Sequence, residues 1–188
     1  MPAPRAASRL TSDQVQTLAH TLSSRVAGEV RADDMSRALY ATDASMYQIM
    51  PVGVLIPQHV GDVQAALEVA ADLHVPVLPR GGGSSLAGQG VNEALVVDFT
   101  RYMDGIEAID PDAQTATVQP GVTLDQLNRA AAEHGLMVGP DPASSSRATI
   151  GGMLANNSTG THSIRYGNFI QHVEQVRALL ADGSHVSF

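Results

Sequence analysis

Apolar residues recur at helical spacing in three stretches of the chain. Val15, Leu18, Leu22 and Val26 share one face of a helix expected from Asp13 to about Val26, with Ser12 as its N-cap and Gly28 as its stop. Val63, Ala66, Leu67, Ala70 and Leu73 form the apolar face of a second, from Asp62 to His74. Leu124, Leu127 and Ala131 do the same between Leu124 and His134, with Thr123 as N-cap and Gly135 just past the end. A shorter helix is expected around Asp33 to Tyr40. Continuous or alternating apolar runs predict strands at Val52–Ile56, Val75–Leu78 and Ala94–Asp98. Two hairpins follow: Ile106–Ile109 with Thr115–Val118 around Asp110-Pro111-Asp112-Ala113, and Val173–Leu180 with His185–Phe188 around Asp182-Gly183. The sum is an α+β chain with at least six strands behind a loose arm over residues 1–11. The last strand is cut at Phe188, as expected of a fragment of something longer.

Composition narrows the chemistry. Apolar residues make up 44% and charged residues 16% of the 188, which is globular rather than disordered. A net charge of −8 argues against a nucleic-acid surface. There is no cysteine, so disulfides, thiolate metal sites and a cysteine nucleophile are excluded within this sequence. With no signal core and no long apolar run, no transmembrane segment is expected, and a cytoplasmic chain is the default.

The most informative stretch is Pro79-Arg80-Gly81-Gly82-Gly83-Ser84-Ser85-Leu86-Ala87-Gly88-Gln89-Gly90. Glycine lets backbone approach a ligand closely, and successive N–H groups in such a turn can converge on an anion. A phosphate cradle is the first reading. It is not a Walker loop: all eleven basic residues are arginine, so the phosphate-reaching lysine is absent. It is not a Rossmann loop either, since the third glycine is missing and a strand rather than a helix follows. A second patch of small residues and amides spans Gly139 to Gly160. A long structureless segment of that kind inside a compact domain is usually functional.

Together these strings resemble the flavin domain of FAD-linked oxidases of the vanillyl-alcohol-oxidase/PCMH type. The glycine stretch resembles that family's pyrophosphate loop. Pro140-Asp141-Pro142-Ala143-Ser144, Ala148-Thr149-Ile150-Gly151-Gly152-Met153 and Arg165-Tyr166-Gly167 resemble its second flavin-contacting segment, and Val173–Gly183 the strand and turn that come next. Within the family the chain is most similar to the glycolate oxidase/D-lactate dehydrogenase branch. The string Asn156-Asn157-Ser158-Thr159-Gly160-Thr161-His162-Ser163 resembles larger members fused to an iron–sulfur domain.

The resemblance implies residues 1–37 as a helical arm and 38–188 as an incomplete PCMH-type domain. Its lobes, about 38–100 and 101–188, would hold FAD between them. Gly81, Gly82, Gly83, Ser84, Ser85, Gln89 and Gly90 would take the pyrophosphate. Pro140, Ser144, Thr149, Gly151, Gly152, Asn156, Ser158 and Gly160 would line the rest of the cofactor. Arg80 would add charge or pair with Asp98 or Asp141. No histidine occupies the glycine loop, so the FAD is expected to be non-covalent. His162 falls near the flavin segment with a structural loop role as the simpler reading; for Tyr166 packing near the flavin and a buried structural role stand equal; His59, His74 and His134 receive none. No catalytic residue and no metal ligand is assigned. In relatives a further flavin-domain segment and a cap follow, and the cap supplies the base and any metal ligands. The implied activity is oxidation of a D-2-hydroxy acid bound through that cap, with electrons passed to an acceptor such as an iron–sulfur domain or a quinone. A membrane-peripheral location of the whole protein fits this. Open alternatives are a non-catalytic FAD-binding accessory module and a nucleotide-sugar flavoreductase.

Overall fold

The computed structural model describes residues 11–188, so the expected arm, Thr11 apart, lies outside the described residues. Residues 11–99 gather around a four-stranded sheet of β1 (Glu29–Arg31), β2 (Gly53–Ile56), β3 (Val77–Arg80) and β4 (Leu95–Asp98), in the order β1-β2-β4-β3. β1 is antiparallel to β2, and the other two pairings are parallel. The central strands β2 and β4 are buried at every position, because both faces of the sheet are covered. Leu55, Leu95 and Val97 face a core shared with helices α1 (Ser12–Ser23) and α3 (Val60–Asp72), while Val54, Ile56 and Val96 pack beside Tyr40 and Leu78.

The segment expected as an N-terminal arm packs into this unit. α1 contributes Val15, Leu18 and Leu22 to the core, and β1 extends the sheet. The N-cap of α1 is Thr11 rather than Ser12. Thr11 accepts from the Gln14 amide while Gln14 reaches back to the Thr11 N–H, a reciprocal capping box. α2 (Asp34–Leu39) is capped by Asp33. α3 starts earlier than expected, capped by the His59 ring, and ends at Asp72, with His74 at φ 54° turning the chain. β3 begins at Val77 rather than Val75, since Pro76 has no N–H to give the ladder.

Residues from 105 onward build the second lobe. A hairpin, β5 (Ile106–Asp110) with β6 (Thr115–Val118), leads to α4 (Leu124–Ala132), which Gly135 closes at φ 71°. Part of the stretch expected to be structureless is a helix: α5 (Ile150–Asn156), capped by Thr149. Two glycines weaken its intrinsic propensity, and burial of Met153 against Leu124, Ala148 and Phe169 compensates. α6 (Ser163–Tyr166), a 3₁₀ turn (Phe169–His172) and the hairpin β7 (Arg177–Leu179) with β8 (His185–Ser187) complete the described chain.

One buried carboxylate ties α3 to the sheet lobe. Asp62 is 1% exposed and accepts from the Ala27 amide at 2.9 Å and the Gln58 amide at 2.8 Å. Asp62→Ala orphans both donors and should cost about 2–4 kcal/mol in urea unfolding, with Asp62→Asn intermediate. A change under about 0.5 kcal/mol would show that water replaces the carboxylate.

Candidate functional site: a glycine-loop cradle between two lobes

β3 and β4 are adjacent and parallel, yet the chain crosses from one to the other through residues 81–94 without a helix. The glycine loop therefore starts at the carboxyl end of β3, the edge of a parallel sheet where ligands collect. Among the described residues, the amide N–H groups of Gly81, Gly82, Gly83, Ser84 and Ser85 donate to no protein acceptor. Five consecutive donors without partners suit a multiply charged anion.

The loop owes its glycines to the neighbouring lobe. A Cβ on Gly82 would fall inside contact distance of the Arg147 carbonyl oxygen, and one on Gly81 would do the same to Thr149 Oγ1. Gly83 sits at φ 64°, where side chains are strained. The first two glycines thus permit the loop backbone to touch the Thr149 side chain and the Arg147 backbone of the other lobe, rather than leaving room for the ligand itself. Gly88 lies against the Tyr47 ring and Gly90 against Asp43.

The two expected segments meet. Gln89 Nε2 donates to Asn156 Oδ1 at 3.1 Å, and Ser85 Oγ donates to Gln89 Oε1, linking the glycine loop to α5. Asn156 in turn donates to the Gly152 carbonyl. Thr149, 2% exposed, caps α5 through the Gly152 amide, and Gly151 packs on Pro120. Gly160 lies against the backbone of Asp141, beside buried Pro140. Ser144 and Ser158 act here through their backbones, Ser144 O accepting from Arg147 and Ala148, and Ser158 N donating to Met153 O. Ser84 is half-buried within the loop.

Arg80 pairs with neither Asp98 nor Asp141. Its guanidinium donates to the carbonyls of Tyr40, Thr42 and Gly90 at 3.0, 2.6 and 2.7 Å. Asp98 instead accepts from the Tyr40 hydroxyl at 2.6 Å and from Thr100. Burial, reinforced by that bond to Asp98, raises the Tyr40 pKa well above the usual phenol value. His162 and Tyr166 meet edge to face, with His162 Nδ1 at 3.3 Å from Asp141.

A cavity of about 500 Å³ opens between the lobes, walled by Arg80, Gly81, Gly82 and Asp98 on one side and by Gly121, Thr123, Gln126, Ser146 and Arg147 on the other. The sequence reading missed Arg147. Among the described residues it pairs with no carboxylate, so its charge is available to an anion in the crevice. Its place after Ser144-Ser145-Ser146 was the available signal. Asp43 was missed too: it fastens Gly90 at 3.1 Å and accepts from Ser45, the mark of an Asp-x-Ser turn. Burial opposes its ionisation, but the Ser45 and Gly90 bonds and the Arg80 charge together lower its pKa.

These features fit a dinucleotide: donors for a diphosphate, and a crevice long enough to reach from one lobe to the other. The FAD binding domain family matches residues 51–188, and the chain belongs to that family, with FAD as its cofactor. Its relatives include the D-2-hydroxyglutarate dehydrogenase of Pseudomonas putida, 35% identical over 85% of this chain and 16% of that protein. Another is the glycolate oxidase subunit GlcD of Bacillus subtilis, 37% identical over 85% of this chain and 35% of that one. The chain thus spans well under half the length of either. Among solved structures, p-cresol methylhydroxylase superposes with a TM-score of 0.79 over 95% of this chain and 36% of its own, at 20% identity. That likeness establishes the PCMH-type fold. No helix among the described residues is long and apolar enough to cross a membrane.

Two outcomes test this geometry. Gly82→Ala forces the loop from the Arg147 carbonyl, an overpacking cost of about 1–3 kcal/mol. FAD affinity should fall roughly 5- to 150-fold by titration, and wild-type affinity would show that the lobes need not touch there. Asp141 supplies the second. The amide of His162 (2.6 Å) and the hydroxyl of Thr161 hold its pKa below the ordinary value. Its contribution is therefore complete above the ordinary carboxylate range and lost as pH falls through the lowered value. FAD affinity should weaken below about pH 4, and Asp141→Asn should weaken it already at neutral pH and flatten that fall; an unchanged profile would contradict the role.

Proposed function

We propose that this chain is the FAD-holding part of a flavin-dependent dehydrogenase or oxidase acting on a D-2-hydroxy acid. The observation that carries the reading is the row of amides from Gly81 to Ser85, which donate to no acceptor among the described residues, with Gly81, Gly82 and Arg147 lining the interlobe crevice. The names of the two curated relatives, a 2-hydroxyglutarate dehydrogenase and a glycolate oxidase subunit, support the substrate class. Bound FAD would supply the redox chemistry, accepting a hydride from the substrate's hydroxyl-bearing carbon and handing electrons to a further acceptor.

The chain's own residues have simpler tasks. The Gly81–Ser85 amides would hold the pyrophosphate by dipoles, which suits a protein of net charge −8 with few cations to spare. The Thr149–Gly152 turn and the Gln89–Asn156 bond would fix the distance between the pyrophosphate and the rest of the cofactor. We read the binding as non-covalent, since residues 81–90 contain no histidine and His162 is engaged by Asp141. The substrate's own contacts and the proton-accepting base are assigned to the parts of the relatives that this chain does not match. The word "subunit" in the Bacillus relative's name favours a second reading, an FAD-holding chain that works with a partner bearing those groups.

The test is an absorbance spectrum after FAD is added in excess and the unbound portion removed by gel filtration. About one FAD per chain should remain and be released by acid, because no covalent bond holds it. The 188 residues alone should show no turnover of glycolate, D-lactate or D-2-hydroxyglutarate. A colourless protein refutes the cofactor role, and measurable turnover refutes the division of labour.

A further inference from the structure

We propose that Arg80 is a positioning residue, which shapes the glycine loop by clasping backbone carbonyls instead of touching the cofactor's phosphates; this rests on the reading that the loop holds FAD. The side chain leaves the end of β3 and turns away from its own strand. Nη1 donates to the carbonyls of Tyr40 and Gly90, and Nη2 to that of Thr42. Those acceptors belong to two segments that are distant in sequence: the chain after α2 and the far end of the glycine loop.

Two further bonds fasten the same segments. The Ala44 amide donates to Gly83 O at 2.9 Å, and the Gly90 amide to Asp43 Oδ2 at 3.1 Å. Both limbs of the loop, at residues 83 and 90, are therefore tied to residues 40–44, and the Arg80 fork fills the space they enclose. Gly83 closes over it: a Cβ there would lie 2.7 Å from Nη2. Below, the guanidinium stands over the Tyr40 ring, 5.4 Å from its centre, and Tyr40 is itself pinned by its hydroxyl to buried Asp98.

The carbonyls sit around two different nitrogens of a planar fork, a geometry that an ammonium on a flexible stem does not reproduce. Of the loop's own oxygens, Gly90 O is held by Arg80 and Gly83 O by the Ala44 amide, while among the described residues the N–H groups at 81–85 donate to no protein acceptor. An arginine acting as a phosphate ligand behaves differently. Its charge is what matters, so lysine replaces it in part, and its loss reduces the salt dependence of binding.

The full chain is examined as wild type, R80K, R80Q and Y40F, first without FAD by amide hydrogen exchange at Ala44 and Gly90. It is then titrated with FAD at several salt concentrations. The clasp predicts that R80K and R80Q both speed exchange at these amides by about tenfold or more. Both should weaken FAD binding alike with the salt dependence unchanged, and Y40F should move both readings in the same direction by less. Near-wild-type affinity in R80K, with weak binding, a shallower salt dependence and unaltered exchange in R80Q, overturns it. If the Arg80 variants do not fold, Y40F decides: exchange at Ala44 and Gly90 matching wild type counts against the clasp. A wild type that fails to bind FAD refutes the cofactor reading, while the exchange measurement still decides the clasp.

Discussion

The backbone contact between Gly82 and Arg147 is the constraint on which the site depends. Two lobes with separate cores can enclose a long cofactor only if their loops approach to within atomic contact at its middle. Any side chain at residue 81 or 82 would hold them apart. Once the loops touch, the buried Thr149 cap, the Gln89–Asn156 bond and the crevice walled by Gly121 and Gln126 follow from the same closeness. Glycine is often read as space left for a ligand. Here the five loop glycines lie against protein (Thr149, Arg147, Arg80, Tyr47 and Asp43 in turn), and the ligand's share is the set of amides that this packing leaves without an acceptor among the described residues.

How much of this was legible in the sequence depends on whether a signal is local. β2 and β4 could be read because a strand buried on both faces is a run of aliphatic residues. The cofactor cradle could be read because a crowded backbone demands glycine wherever it occurs. β1 could not: Glu29-Val30-Arg31 has one apolar residue, and its pairing with β2 rather than its composition makes it a strand. α5 was hidden for a similar reason, since Gly151 and Gly152 argue against a helix until Met153 is seen buried between Leu124 and Phe169.

The part of the site least legible in advance was the part held by distant partners. Arg80 lies next to three glycines, which invites a phosphate role, yet its acceptors are 10 to 40 residues away in sequence. Arg147 and Asp43 carry no motif of their own. Their relevance comes from the fold, which sets one across the crevice from the loop and the other beneath its far limb. Resemblance pointed to the cofactor; packing shows which residues hold the glycine loop and line the crevice.

The central claim is that the free amides of residues 81–85 face the diphosphate. Heteronuclear NMR of the chain during titration with FAD, and separately with riboflavin, which lacks the diphosphate, addresses it directly. FAD should move the amide resonances of Gly81 to Ser85 strongly while riboflavin leaves them in place. FAD binding that leaves those five resonances unmoved would contradict the account.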